Sequence, residues 1–453
     1  MHRRVIGSAA EIDTKREEVS ASVTFTEALG VWLKIGLLSF GGPAAQIALM
    51  HRVLVDERRW LAERQFLSAL NFCMLLPGPE AMQLATYAGW RMHGVRGGLA
   101  AGLLFVMPGA ILMLALSVIY ALYGQLPAME VLFLGVKAAV LAIVLEALIR
   151  VARRALQTKE HWLLAGLSFA ALFFFNVPFP VVVLAAAMIG VVSSWRSGEG
   201  VAALAPEGAM SVPAAAPPRT LVTVATWLAI WLAIWLGPLA VLWIVLGDDH
   251  ILVKLGLFFS KLAVVTFGGA YAVLAYMAQE VVQGYGWLNA GEMLDGLGLA
   301  ETTLGPLILV TEFVGFLAAY REAGGASLLM GIAGAAVTLW ATFTPCFLWI
   351  FAGAPYVEQL QHAVRLRAAL AAVTAAVVGV ILNLSLWFGL RVLFGQFGRI
   401  EIGPVTLDVP ILQSIDWRAA VLSIVAGVAL FRFKAGVIVT LMICAAASFA
   451  LSN

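Results

Sequence analysis

The chain has 453 residues, of which 62% are hydrophobic and 12% are charged, and its formal net charge is +2. Soluble domains carry about 25% charged residues, so this composition excludes an ordinary soluble protein and predicts a polytopic helical membrane protein whose surroundings are the lipid bilayer. The near-neutral charge, with basic residues scattered between apolar segments, argues against a nucleic-acid partner.

In chain order, residues 1–24 form a charged cytoplasmic tail without an apolar core, so we expect no secretory signal before the first span. Residues 25–196 are predicted as a first transporter repeat, 197–250 as a flexible link plus a connecting transmembrane helix, and 251–453 as a second repeat. The predicted fold class is therefore all-α. Each repeat has six apolar segments, namely 27–50, 66–90, 98–122, 129–149, 161–176 and 178–195, then 253–280, 293–320, 325–353, 366–390, 417–431 and 435–451.

Internal repetition is the main reason for dividing the chain in this way. The sequence Phe-Gly-Gly occurs at 40–42 and again at 267–269, a separation of 267 − 40 = 227 residues. The same offset pairs Lys34 with Lys261 and Gly78 with Gly305. A register that holds without gaps over about sixty residues indicates two copies of one unit, as in transporters whose site lies where paired repeats meet.

The loop charges predict that the two repeats have inverted topology. Residues 51–64 contain four arginines, whereas the equivalent residues 281–292 contain no lysine or arginine. Because positively charged loops stay in the cytoplasm, we expect these two loops on opposite sides of the membrane and the N-terminus in the cytoplasm. Six segments and the connecting helix make seven elements from the start of the first copy to the start of the second, and this odd number inverts the second copy.

Glycine and proline interrupt two segments of the first repeat, at 41–43 and at 77–79. A helix over 27–40 is about 21 Å long, which is too short for a hydrocarbon core of about 30 Å. Both segments are therefore predicted as re-entrant helical hairpins that return to the side they left. Two kinked spanning helices are the alternative.

Broken helices at membrane depth predict an anion site, because the second half-helix begins with unpaired N–H groups and the positive end of its dipole. Lys34 and Lys261 each lie seven residues before a glycine pair, on nearly the same helical face. Snorkelling of these lysines to the membrane surface is the alternative. The predicted substrate-binding residues are Lys34, Gly41, Gly42, Pro43, Gln46, Asn71, Pro77, Gly78, Pro79, Gln83, Lys261, Gly268, Gly269, Gly305 and Pro306.

Glu80 and Glu312 are the candidates for coupling protons to transport, because a carboxylate beside an anion site must be protonated or paired. Glu80 has a simpler alternative, which is to stabilise the N-terminus of its own helix. Other chemistry has little support. The three cysteines are isolated, no cluster has metal-ligand spacing, and no Walker loop is present, so we predict no cofactor, no metal and no enzymatic activity.

The stretches around the breaks are SFGGPAAQIALMH (39–51), ERRW (57–60) and ALNFCMLLPGPEAMQLATYAGW (69–90), with VTFGGAYAVL and ETTLGPLILVTEFVGF in the second repeat. They closely resemble the chromate ion transporter family in its long, two-domain form. The resemblance implies a bacterial inner-membrane protein that exports chromate, driven by the membrane potential or a proton gradient. Sulfate as substrate, a passive anion channel and a homodimer all stay open, whereas a membrane enzyme would need clustered His, Asp or Ser at one face.

Overall fold

The computed structural model of the protein describes residues 23–196, 221–265, 267, 270–322, 327–354, 364–402 and 405–452. Most of these residues are helical, and five helices are long and apolar enough to cross a membrane. The predicted class, an all-α polytopic membrane protein, is therefore confirmed.

The described part of the first repeat consists of short helices at the predicted breaks followed by longer ones. The helices are α1 (Phe25–Leu38), α2 (Gly42–His51), α3 (Glu63–Cys73), α4 (Glu80–Tyr123), α5 (Pro127–Ala155), α6 (Lys159–Phe175) and α7 (Phe179–Arg196). Within α4, His93 and Gly94 leave the helical conformation, so residues 80–92 act as a separate half-helix.

The second repeat follows the same order after the connecting helix α8 (Leu221–Leu246). Its helices are α9 (Ile251–Val265), α10 (Ala270–Gln279), α11 (Ala290–Thr302), α12 (Val310–Glu322), α13 (Leu328–Gly353), α14 (Val364–Leu393), α15 (Trp417–Gly427) and α16 (Val437–Ser452). A short 3-10 turn, Leu307–Leu309, precedes α12. The sequence did not predict an antiparallel hairpin of β1 (Phe397–Ile402) and β2 (Val405–Pro410), which lies between α14 and α15.

Contacts at the ends of the broken segments show that they fold back as hairpins, which is the shape that the re-entrant prediction requires. Arg58, just after α2, donates to Glu27 at the start of α1 over 2.9 Å. A straight helix would place these residues about 46 Å apart. Similarly, His93 at the end of the 80–92 half-helix lies 3.0 Å from the carbonyl oxygen of Val23. Both hairpins of the first repeat therefore begin and end on one face of the molecule.

The two repeats are interlocked rather than side by side. The long helix α5 packs on α15 and α16 of the second repeat, whereas α14 packs on α6 and α7 of the first. Small residues allow close approach, because a Cβ at Gly379 of α14 would collide with the carbonyl oxygen of Ala165 in α6. Between α16 and α5, the Ser448 hydroxyl donates to the carbonyl oxygen of Val131 over 2.6 Å. Each repeat thus completes the packing of the other.

Candidate functional site

A small cavity lies where the breaks of the two repeats meet. Its volume is about 20 Å³, which is room for about one water molecule. The wall consists mainly of residues at the start of α2, α4 and α10 and in the turn before α12: Pro43, Gln46, Gly78, Pro79, Glu80, Ala81, Ala270, Pro306, Leu307 and Ile308. Three α-helices therefore begin at this cavity together with the 3-10 turn that precedes α12, and in this conformation it is closed to anything as large as an oxyanion.

Most of the wall obeys the internal repeat. Four pairs of wall residues are separated by the repeat offset, since 270 − 43, 306 − 79, 307 − 80 and 308 − 81 all equal 227. The wall pairs are Pro43 with Ala270, Pro79 with Pro306, Glu80 with Leu307, and Ala81 with Ile308. The cavity is thus formed from equivalent positions of the two repeats, as expected for a site at the junction of paired units.

Hydrogen bonds hold the two breaks together beside the cavity. Gln46 Nε2 donates to the carbonyl oxygen of Gly305 over 2.6 Å, and the Gly305 N–H donates to the carbonyl oxygen of Ser39 over 2.8 Å. Within the first repeat, Gln83 Nε2 donates to the carbonyl oxygen of Pro77 over 2.6 Å. Both glutamines are buried, and within the described ranges neither Oε1 atom has a hydrogen-bond partner. The glutamines therefore fix the breaks through backbone carbonyls.

Glycine is required at the first-repeat breaks because the backbone there adopts left-handed angles. The φ angle is +84° at Gly41 and +114° at Gly78. A Cβ at Gly78 would lie 2.9 Å from Gln83 Nε2 and 3.1 Å from Cys346 Sγ, so a side chain would also displace its neighbours. The predicted glycine positions thus have both a conformational and a steric reason.

The predicted lysines are not part of the cavity wall. Lys34 is exposed on α1, Asn71 is exposed on α3, and exposed Lys261 lies 5.7 Å from the ring centroid of Tyr276. The structure thus brings together the predicted glycines, prolines and glutamines of the first repeat but leaves these three side chains on the surface. The predicted residues Gly268 and Gly269 lie outside the described residues.

The two candidate carboxylates have different surroundings. Glu80 lines the cavity. Arg154 Nη2 of α5 lies 3.4 Å from Met74 Sδ at the first-repeat break. Glu312 is buried in α12, and its Oε2 has no hydrogen-bond partner in the part of the chain that the structure describes. Sequence reasoning missed Arg154 because the predicted helix ended at residue 149, six residues before α5 ends.

A larger cavity, of about 820 Å³, lies on the side of the second repeat where α11 begins. We call it the vestibule. Its lining includes Arg321, which donates to Glu292 over 3.0 Å, and Arg391, which donates to Asp408 over 2.8 Å. Arg399 of the β-hairpin lines it as well, so the charged lining contains three arginines and two carboxylates. The vestibule was not predicted, because the unpredicted β-hairpin forms part of its wall.

Together, these features define a polytopic helical membrane protein built from two related repeats, with discontinuous helices at their junction. The sequence profile of the chromate transporter family matches residues 26–191 and 253–449, and the chain belongs to this family. Among the residues described, no three His, Cys, Asp or Glu side chains converge as metal ligands.

Curated relatives are similar along most of the chain. A chromate transport protein of Pseudomonas aeruginosa is 34% identical over 82% of this chain and 82% of its own length. A probable chromate transport protein of Synechococcus elongatus is 31% identical over 77% of this chain and 81% of its own. An uncharacterized transporter of Methanocaldococcus jannaschii is 26% identical over 80% and 83%, respectively. No solved structure matches the chain.

Proposed function

We propose that the protein exports chromate, a tetrahedral dianion, from the cytoplasm across the bacterial inner membrane. The observation that carries this proposal is the cavity at which three α-helices begin. Each helix N-terminus is equivalent to about +0.5 elementary charge, so three supply about +1.5 against the two negative charges of the dianion. Their first turns also leave N–H groups free to donate to its oxygens. The similarity to bacterial chromate transport proteins supports chromate as the substrate.

The residues of the breaks have distinct roles in this proposal. Pro43, Gln46, Gly78, Pro79 and Pro306 line the cavity and surround the anion. The remaining break residues hold the backbone N–H groups in place: Gly41, Gly42, Pro77, Gln83 and Gly305. Lys34, Lys261 and Asn71 act from outside the cavity, where the lysines contribute only a long-range field. Glu80 and Glu312 remain the candidates for proton coupling in the immediate surroundings.

The vestibule is proposed as the exit path. Helix α10 begins at the cavity with Ala270 and lines the vestibule with Ala275, five residues or about 7.5 Å further along. A shift of about one and a half helical turns would therefore join the two spaces. We place the vestibule on the outer side because residues 281–292, which contribute to it, contain no lysine or arginine.

The charge of the substrate makes export favourable without ATP. Moving two negative charges out of a cell with a negative interior yields about 4–5 kcal/mol per 100 mV. Alternating access between the repeats is favoured over a passive channel, because a cavity of about 20 Å³ offers no continuous pore in this conformation. A sulfate or general oxyanion transporter is the second candidate, since backbone N–H groups recognise charge and shape rather than the central atom.

Flux in vesicles with an imposed membrane potential tests the proposal. Saturable chromate efflux should accelerate when the donor side is negative, and sulfate should compete for it. Gln46→Ala, which removes the bond to Gly305, should reduce this flux, whereas Gln157→Ala at an exposed position serves as the matched control. Flux that rises linearly with concentration would support a channel instead, and absence of chromate flux in both directions would refute the proposal.

A further inference from the structure

A buried hydrogen-bonded pair beside the cavity occurs in the second repeat alone. The Tyr271 hydroxyl donates to Glu301 Oε1 over 3.0 Å, and Glu301 is 6% exposed. The offset of 227 residues places Ala44 and Met74 at the equivalent positions of the first repeat, so the first repeat cannot form this pair. The pair is therefore not a requirement of the shared fold.

The pair connects two half-helices that end at the cavity. Tyr271 directly follows Ala270, which is a wall residue at the start of α10. Glu301 lies in the last turn of α11, five residues before the wall residue Pro306. A movement that opens the cavity between these half-helices would also change the hydrogen bond. The charge on Glu301 is thus placed to respond to the occupant of the cavity.

The first repeat contributes an ion pair on α5, a helix that packs against α11. Arg150 donates to Glu146 Oε1 over 2.6 Å, and both side chains are partly exposed. The set of Glu146, Arg150 and Glu301 has a net charge of −1 when Glu301 is ionised and zero when it is protonated.

Other ionisable groups lie on the elements packed against α11. Asp295 of α11 binds Lys137 of α5 over 3.3 Å and accepts from Tyr120 of α4 over 2.8 Å. On α12, Arg321 pairs with Glu292, whereas Glu312 Oε2 lacks a hydrogen-bond partner in the described ranges. Helix α16 carries no charged residue, and α14 carries three near its ends, at Arg365, Arg367 and Arg391.

We propose that Glu301 binds a proton when a dianion occupies the cavity and releases it when the dianion leaves. This inference rests on the proposed function. Two negative charges in the cavity disfavour a third on Glu301, because interactions between charges are strong where water is excluded. The proton comes from water and adds to the Glu301 carboxylate as an O–H bond, while Tyr271 keeps its own. Since linkage is reciprocal, protonation of Glu301 must in turn strengthen binding of the dianion.

The test is a titration of chromate transport against concentration at a series of pH values in proteoliposomes. For the wild-type protein, apparent affinity should fall as pH rises, by up to about tenfold per pH unit for one linked proton. Glu301→Gln, which mimics the protonated group, should keep the acid-side affinity at every pH. Tyr271→Phe keeps the ring but removes a donor to the charged carboxylate, so the midpoint of the profile should move to higher pH.

Glu160→Gln, at an exposed position on α6, is the matched control and should retain the wild-type profile. Titration of chromate itself is common to all variants and cancels in the comparison. A wild-type profile in Glu301→Gln would overturn the inference while leaving potential-driven export intact. The inference would also be overturned if Glu301→Gln lost chromate affinity equally at every pH and Tyr271→Phe left the midpoint of the pH profile unshifted. The pair of Tyr271 and Glu301 would then have only a structural role. Absence of flux in the wild-type protein would remove both proposals.

Discussion

Substitution of Gly78 by alanine should inactivate transport, and Gly94→Ala is the matched control. Both glycines have positive φ angles, +114° and +61°. The Cβ of an alanine at position 78 would lie 2.9 Å from Gln83 Nε2 and 3.1 Å from Cys346 Sγ, whereas at position 94 nothing lies within 4 Å. The two variants therefore share the backbone strain and differ in the displacement of Gln83.

The magnitude follows from these contacts. A strained backbone conformation costs about 1–3 kcal/mol in either variant. At position 78, displacement of Gln83 also breaks its hydrogen bond to the carbonyl oxygen of Pro77, which costs about 1 kcal/mol more. The larger effect is on function, because the first turn of α4 at the cavity is no longer held in place. We expect chromate efflux to fall at least about tenfold in Gly78→Ala, equivalent to about 1.4 kcal/mol.

Efflux from proteoliposomes and thermal melting of the purified variants measure the two effects separately. Gly78→Ala should lose transport at a melting temperature close to that of Gly94→Ala, which should transport normally. Gly305→Ala should be intermediate, because its Cβ would meet the flexible Leu309 side chain, at 3.2 Å from Cδ1. Equal transport in Gly78→Ala and Gly94→Ala would show that the geometry of the break is not used.

Three further predictions concern topology and charge. Glu57→Cys and Gln283→Cys should react with a membrane-impermeant reagent from opposite sides, and labelling of both from one side would disprove inverted repeats. Lys137→Met leaves the buried Asp295 carboxylate without its ammonium partner at 3.3 Å and should cost about 3–5 kcal/mol, measured by thermal melting. Adding Asp295→Asn should restore much of this loss, and no recovery would refute the pairing. Lys34→Gln should weaken chromate affinity only at low ionic strength, and a salt-independent loss would place this ammonium in the site.

Helix breaks and repeat-related positions could be predicted from the sequence, because local composition and internal repetition determine them. The breaks at 41–43 and 77–79 lie where glycine and proline placed them, and the offset of 227 residues also relates the wall residues Ala270 and Leu307 to Pro43 and Glu80. Ala270 and Leu307 were not predicted as site residues, because an apolar side chain has no functional group that indicates binding. The repeat nevertheless contained the information needed to find both.

Other features depend on tertiary packing and could not be predicted. Helical periodicity placed Lys34 on the same face as the glycines, but the turn at Gly41 directs the chain back and leaves this lysine exposed. The hydrogen bond between Tyr271 and Glu301 joins residues 30 positions apart, at the start of α10 and in the last turn of α11. The packing of α15 and α16 against α5 of the other repeat could not be predicted from local sequence patterns either. It depends on which apolar helix faces pack together in the folded protein.

The cavity is symmetric in its backbone and asymmetric in its side chains. This difference suggests that recognition of the anion and its coupling to protons are carried out by separate groups. In the proposed binding mode, helix starts from both repeats contribute the backbone N–H groups, which would match the charge and tetrahedral shape of the anion without distinguishing one central atom from another. The polar wall side chains, Gln46 and Glu80, come from the first repeat, whereas the second contributes Ala270 and Leu307. The second repeat instead places its carboxyl group behind the wall, at Glu301. A group that binds protons there can respond to the charge of the anion without competing for its oxygens, so the two repeats can diverge in side chains while the shared backbone site is retained.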